Sequence, residues 1–450
     1  MVRNNFPKFL KLRKEFPFFE YEGFEYKIEK DVLSVEFSFN LAGKHFFRPV
    51  LKLEKNDYID FSRISSQDLE TLLFHIGMVE SISYWKAACP PVFIIRDYAL
   101  DKDREQWWKK LFLKGLGEFF YLNGIEIDED HLFDFRYKTN NKTGLLPAMR
   151  PGDSVMVPVG GGKDSVVTLE LLKRKKNVFP FILNPRPASI DTVRKANIDI
   201  AKTITVHRTI DSELLKLNKN GFLNGHTPFS ALLAFISLLA ANFSGVADIA
   251  LSNESSANEP THFATGANHQ YSKSFEFEKD FREYVHKHIQ KGVNYFSFLR
   301  PLSEYQIAAL FSMFPAHFDT FRSCNAGSKE NIWCGKCSKC LFTYIILSPF
   351  VERERLNMIF GNNLLEKAEL KPFFNELTGL AATKPFECVG TVNEVRHALN
   401  HHKEEKPLPL LLKDYPFFDT QPVDIHTFSD FRHFLNKEYE AILSDALKSL

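Results

Sequence analysis

An excess of either charge is missing from this sequence: 57 Lys and Arg face 56 Asp and Glu, a formal charge of +1. Without a global field the chain has nothing to draw it onto nucleic acid or an anionic membrane, so neither is expected as a partner. Long apolar runs are missing too. The strongest, Ala231 to Ala241, stops at Asn242, short of the roughly 20 residues that a bilayer-spanning helix needs, and reads as a buried helix. The opening MVRNNFPKFLKLRKEF has basic residues but no apolar core or small-residue cleavage site, so no secretory signal is expected and the expected compartment is the cytosol. Cysteine is scarce, six in 450 residues, and unevenly spread: Cys324, Cys334, Cys337 and Cys340 crowd together while Cys89 and Cys388 stand alone. That pattern suits a metal site better than a disulfide framework. Trp and Met number only 4 and 6 against 45 Phe, for which a Phe-rich core is the simplest reading. No internal repeat and no low-complexity tract occurs, which sets solenoids and propellers aside.

What is present is globular composition, 44% hydrophobic and 25% charged, enough for packed cores across two or three domains. Residues 24–53 alternate apolar and polar positions in FEYKIE, LSVEFSF and FRPVLKL, as half-buried antiparallel strands do. Helical patterns follow at 67–87 and 103–122, so residues 1–150 read as an α+β domain ending at the proline-bearing GLLPAMRPGD, a candidate for substrate recognition. From Ser154 short apolar runs alternate with helical segments: SVMVPV, a helix to Lys175, VFPFILN, a helix at 189–197, TITVHRTI, a helix at 226–242 and VADIALS. This is the pattern of an α/β domain with a parallel sheet, placed at 151–350, with further helices at 275–290, 303–314 and 338–347. Residues 351–450 read as a mainly helical extension with a last helix over 428–449. The histidines His397, His401, His402 and His426 lack the central Glu of H-E-x-x-H and read as solvated helix residues.

The strongest chemical signal is Val157-Pro158-Val159-Gly160-Gly161-Gly162-Lys163-Asp164-Ser165, between an expected strand and an expected helix. Three glycines let backbone N–H groups close on a phosphate, and the following helix adds unpaired N–H donors and the positive end of its dipole. Lys163 adds a point charge, and Asp164 is a candidate Mg²⁺ ligand against the same phosphates. A Walker A loop would need Gly at Val157 and Ser or Thr at Asp164, and the dinucleotide fingerprint would need Gly or Ala at Ser165, so both are excluded by spacing. The segment resembles the S-G-G-x-D-S loop of the ATP pyrophosphatase, or PP-loop, superfamily, in which ATP is cleaved between its α and β phosphates and AMP passes to an oxygen of the substrate. Gly160 stands at the first Ser of that pattern, which removes one hydroxyl and keeps the backbone cradle. The resemblance implies further nucleotide contacts at the ends of the next strands, for which Asn184 and the Gly225-His226-Thr227 turn are the local candidates. For Thr227 a helix N-cap is an equal alternative.

Cys324-x9-Cys334-x2-Cys337-x2-Cys340 brings four thiolates within a span short enough for a tetrahedral zinc site with no open position, hence a structural one. The C-G-K-C-x-x-C element is similar to that of the 7-cyano-7-deazaguanine synthases of the same superfamily. Residues 252–274, SNESSANEPTHFATGANHQYSKS, form a long polar stretch directly after an expected sheet strand. Glu254, Glu259, His262, His269, Tyr271 and Lys273 within it are candidates for acid, base and carboxylate-binding groups. NESSANEP and HQYSKSFEFE, with PVGGGKDS, the late cysteine element and the chain length, are similar to the family of ATP-dependent epimerases that invert the terminal glutamate of UDP-N-acetylmuramoyl-L-alanyl-L-glutamate. That resemblance implies a UDP-glycopeptide substrate, ATP with Mg²⁺, and catalytic groups among Lys163, Asp164, Glu254, His262, His269 and Lys273. It implies nucleotide contacts from Gly160, Gly161, Gly162, Ser165, Asn184, His226 and Thr227. Two other readings keep the loop: a nucleobase-modifying enzyme acting on a deazapurine or on tRNA, and a non-catalytic nucleotide-binding, zinc-stabilised interaction protein.

Overall fold

The alternating stretches near the N-terminus fold as their period-two pattern requires. In the computed structural model, which describes residues 3–258, 271–327 and 329–450, they form β1 (Phe19–Glu29), β2 (Val32–Leu41), β3 (His45–Phe47) and β4 (Val50–Glu54). Two short strands, β5 (Val92–Ile95) and β6 (Asp134–Tyr137), follow. The later apolar runs give β7 (Ser154–Pro158), β8 (Asn177–Leu183), β9 (Ile204–Thr209), β10 (Asp248–Leu251) and β11 (Asn294–Ser297). The candidate residues Glu259, His262 and His269 lie outside the described residues. The fold is α/β with a mixed sheet, and the described residues divide into two compact units, neither continuous in sequence. One takes the residues up to 152, then 204–248 and 271–294; the other takes 153–203, 249–258 and 295 onwards.

In the first unit the strands run in the order β9-β4-β2-β1-β5-β6, with β3 on β2. The β1/β2, β2/β4 and β4/β9 pairs are antiparallel, while β1/β5 and β5/β6 are parallel. Alternate β2 residues Leu33, Val35, Phe37, Phe39 and Leu41 are buried, as a one-sided hydrophobic pattern dictates. Helix Ser66–Trp85, whose N-cap Ser65 accepts the Asp68 N–H, packs on the Ala- and Leu-rich helix Phe229–Ser244. The second is apolar nearly all round, and the first buries most of its length with the polar Thr71, His75, Glu80, Ser81 and Ser83 among its apolar residues. The helix expected over 103–122 is two, Lys102–Gly115 and Gly117–Asn123. The Gly115-Leu116-Gly117 sequence lowers helix propensity at the break. Phenylalanine fills this core: Phe93 lies 5.3 to 5.7 Å, centroid to centroid, from Phe19, Phe112, Phe133 and Phe135.

In the second unit the order is β11-β10-β7-β8, with β7 and β8 parallel. Helices Lys163–Leu172, Glu304–Ser312 and Ser338–Leu347 share one core with residues from the last hundred positions, among them Phe374, Leu399, Tyr439 and Leu443. The last helix is Lys437–Lys448, shorter than the expected 428–449. Asn436 caps it by accepting the N–H groups of Glu438 and Tyr439, while the N–H groups of Ser429 and Asp430 go to the Pro301 carbonyl instead of to a helix. His402, expected in solvent, is 5% exposed; its Nδ1 meets Glu405 Oε1 and its Nε2 meets Ser348 Oγ, each at 2.7 Å. Among the described residues no helix is long and apolar enough to cross a membrane.

Candidate functional site

The buried strand β7 ends at Pro158, and the Val159 N–H donates to the Phe181 carbonyl at 2.8 Å. The chain then turns through Gly160, Gly161 and Gly162 into helix Lys163–Leu172, with Gly162 at the N-cap. Gly162 has no side chain to spend on the cap, so the first-turn N–H groups face whatever ligand the loop holds. Gly161 has φ +88°, and a Cβ there would sit 2.7 Å from the Ala188 carbonyl carbon and 2.8 Å from Ser189 N. The loop is thus pressed onto the start of helix Pro187–Lys195, and only glycine satisfies both the backbone angle and the approach. We expect Gly161→Ala to destabilise the fold by about 1–3 kcal/mol, read as a lowered melting temperature. At Gly160 nothing stands within 4 Å of the place a Cβ would take. Ser165 donates its hydroxyl to the Gly162 carbonyl at 2.9 Å, tightening the turn.

Lys163 is 4% exposed, and its ammonium is held by the carboxylates of Asp164 and Glu304. Burial alone would strip its proton, but the two carboxylates outweigh burial and hold it protonated. Glu304 opens helix Glu304–Ser312, where Ser303 and Gln306 form a reciprocal cap. Its carboxyl is 3% exposed and lies well above the usual carboxylate range: burial raises it most, Lys163 opposes, and Asp164 and Glu254 push it further up. Glu254, just after β10, is also 3% exposed; its carbonyl accepts from Arg300 Nη1 at 2.7 Å and its Oε1 from Ser256 Oγ at 3.3 Å. One carboxylate oxygen each from Asp164, Glu254 and Glu304 lies within 4.8 Å of the others. Three acidic groups around one buried ammonium leave net negative charge beside the glycine loop, an oxygen donor set that suits a hard divalent cation.

The sequence-derived candidates separate here. Lys163, Asp164 and Glu254 come together, and Asn184 follows the end of β8 with φ +55°, on the loop's side of a parallel strand pair. His226, Thr227 and Lys273 belong to the first unit. There His226 Nδ1 stands 3.9 Å from Glu118 Oε2, Pro228 takes the N-cap position considered for Thr227, and Lys273 ends a short 3₁₀ turn, Tyr271–Lys273. Glu304 is missed by sequence reasoning. It lies 141 residues from Lys163, and its only local signal is the S-E-Y-Q capping box.

The four clustered cysteines also meet. Cys324 and Cys337 sulfurs are 3.9 Å apart, Cys334 and Cys340 3.7 Å, and Cys337 and Cys340 3.5 Å. Four sulfurs at about 2.3 Å from one zinc ion define a tetrahedron with edges of about 3.8 Å, so the spacing fits. Backbone N–H groups of Gly327 and Lys336 point to Cys324 and Cys334 sulfur at 3.2 and 3.4 Å, as they do around thiolates. The hydrogen-bonded contact with Cys340 holds the Cys337 thiol down at about 5, while burial pushes Cys334 up to about 11.

The family model described as the MurL N-terminal domain matches residues 11–298, and that of the MurL C-terminal domain matches 320–408. The UDP-N-acetyl-alpha-D-muramoyl-L-alanyl-L-glutamate epimerase of Xanthomonas oryzae pv. oryzae is 34% identical over 334 residues, covering 72% of this chain and 72% of that protein. Proteins of the same name from Salinispora tropica and a Micromonospora species are each 34% identical, covering 73% of this chain and 72% and 73% of their own lengths. No solved structure matches the chain at a significant level.

Proposed function

The chain belongs to the MurL family, and from that premise we propose that it inverts the terminal L-glutamate of UDP-N-acetylmuramoyl-L-alanyl-L-glutamate to the D form, using ATP, in peptidoglycan precursor synthesis. The observation that carries the ATP-dependent part is the triple-glycine loop with its buried Lys163 held between Asp164 and Glu304. The α hydrogen of a glutamate is too weakly acidic beside an ionised carboxylate, since its removal would set a second negative charge next to the first. In this reading a carboxylate oxygen attacks the α phosphate of ATP, pyrophosphate leaves, and an acyl-adenylate forms. Its neutral, electron-withdrawing carbonyl lets a base take the α proton, reprotonation on the other face inverts the carbon, and water releases AMP.

The backbone N–H groups at Gly160, Gly161, Gly162 and Ser165 hold the pyrophosphate part, and Asn184 contacts the nucleotide. Lys163 opposes the charge that develops on the α phosphate. Asp164, with Glu254 and Glu304 beside it, would hold Mg²⁺, which supplies positive charge against the leaving group. The four sulfurs of Cys324, Cys334, Cys337 and Cys340 would hold Zn²⁺, which leaves no open coordination position and supplies stability.

Substrate incubated with the protein, ATP and Mg²⁺ in D₂O should gain one deuterium by mass spectrometry while AMP, not ADP, accumulates. No deuterium together with no AMP overturns the reading. The base is sought among Lys273, His262 and His269, whose replacement should leave acyl-adenylate formation in place and stop α-hydrogen exchange, and Glu254, whose replacement beside the Mg²⁺ ligands should weaken activation as well.

A further inference from the structure

Phosphate oxygens at a helix N-terminus accept from hydroxyls as well as from backbone N–H groups, and three consecutive glycines bring no side chain. The one hydroxyl in the loop sequence itself, Ser165, is committed to the Gly162 carbonyl. A second hydroxyl stands beside the loop from a distant part of the chain. The Arg322 N–H donates to the Gly161 carbonyl at 2.7 Å, and the next residue, Ser323, has its Cβ 3.3 Å and its Oγ 3.9 Å from the position a Cβ on Gly162 would take. The Ser323 hydroxyl makes no hydrogen bond among the described residues, although its neighbours are fixed. On one side the Arg322 side chain donates to the carbonyls of Asn331 and Phe321, at 3.1 and 2.7 Å. On the other, Cys324 is 1% exposed and its sulfur belongs to the four-cysteine cluster.

We infer that Ser323 is a phosphate ligand of the nucleotide site, donating its hydroxyl to a phosphate oxygen of ATP held at Gly161 and Gly162. The inference rests on the reading of the loop as an ATP site and extends that site to a segment some 160 positions downstream in sequence, about the separation of Gly162 and Ser323. The segment is pinned twice, by the Arg322–Gly161 backbone bond and by Cys324, so the backbone that carries the hydroxyl is held in place before ligand arrives. An unused donor fixed beside a phosphate cradle is preorganised for an anion, and a hydrogen bond to a charged group contributes more than one between neutral partners.

The test compares Ser323→Ala and Ser323→Thr with the wild-type full chain, by calorimetric titration of ATP with Mg²⁺ and by the KM for ATP in AMP formation. Ser323→Ala should weaken ATP about tenfold, the scale of one hydrogen bond to a charged acceptor, with an unchanged melting temperature. Ser323→Thr, which keeps a hydroxyl, should restore most of the affinity. A Ser323→Ala protein that binds ATP within twofold of wild type, or a Ser323→Thr protein as weak as Ser323→Ala, overturns the inference while the ATP reading stands. Wild-type protein that binds no ATP overturns both.

Discussion

Lys163→Ala is expected to lower AMP formation by about two to three orders of magnitude, the usual effect of removing one preorganised charge from a developing phosphate transition state. Deuterium exchange at the substrate's α carbon should fall with it, because in the proposed mechanism activation precedes proton removal. The variant also has a folding cost. It removes the ammonium from a buried pair in which Glu304 is only 3% exposed. Without Lys163, which opposes the rise of that carboxyl, Glu304 takes up a proton, so the cost stays below the roughly 3–5 kcal/mol of a stranded buried charge. The two effects can be separated. Glu304→Gln added to Lys163→Ala puts a neutral amide where the unpaired carboxyl stood and should recover part of the lost melting temperature without recovering AMP. If the double variant regained both, Lys163 would be a structural ion-pair partner and the loop would lose its chemical role; AMP formation within tenfold of wild type in Lys163→Ala alone would have the same meaning.

The parts of this site legible in the sequence are those whose chemistry is local. Gly160 to Ser165 is one turn between a strand and a helix, and its spacing alone separates it from other phosphate loops. The four cysteines lie within 17 residues, 324 to 340, so their convergence follows from chain length. Glu304 and Ser323 are invisible in the sequence because each reaches the loop through tertiary packing, Glu304 from the start of a capped helix and Ser323 from the segment leading into the cysteine cluster. At fold level, period-two alternation identifies β1, β2 and β4, and short apolar runs identify β7 to β10. The Gly115-Leu116-Gly117 break escapes a reading by periodicity because a helical pattern continues on both sides of it. The start of the last helix is displaced in such a reading because the apolar residues Phe428, Phe431, Phe434 and Leu435 extend the pattern, whereas Asn436 caps the helix and sets its boundary.

The second large effect belongs to the cysteine cluster. The protein as isolated should carry one zinc ion per chain, and removing it by chelation should lower the melting temperature by about 10 °C. That figure follows from a loss of several kcal/mol, below the range of about 10–16 kcal/mol for zinc in isolated fingers, at about 2–4 °C per kcal/mol for a unit of this size. The discount is needed because Cys340 lies in the first turn of helix Ser338–Leu347, whose Leu341, Phe342, Ile345 and Ile346 are packed in the core with or without metal. Cys340→Ser should reproduce most of the loss, since a hydroxyl at a fully buried ligand position neither holds zinc well nor replaces the sulfur's packing. A stripped protein with four readily titrated thiols and an unchanged melting temperature would remove zinc from the account. The cluster also bears on the glycine loop, because Cys324 fixes the segment whose Arg322 N–H holds the Gly161 carbonyl. ATP affinity of stripped protein, measured well below its melting temperature, should therefore fall before the fold is lost, and a metal that merely fastened a remote loop would leave that affinity unchanged.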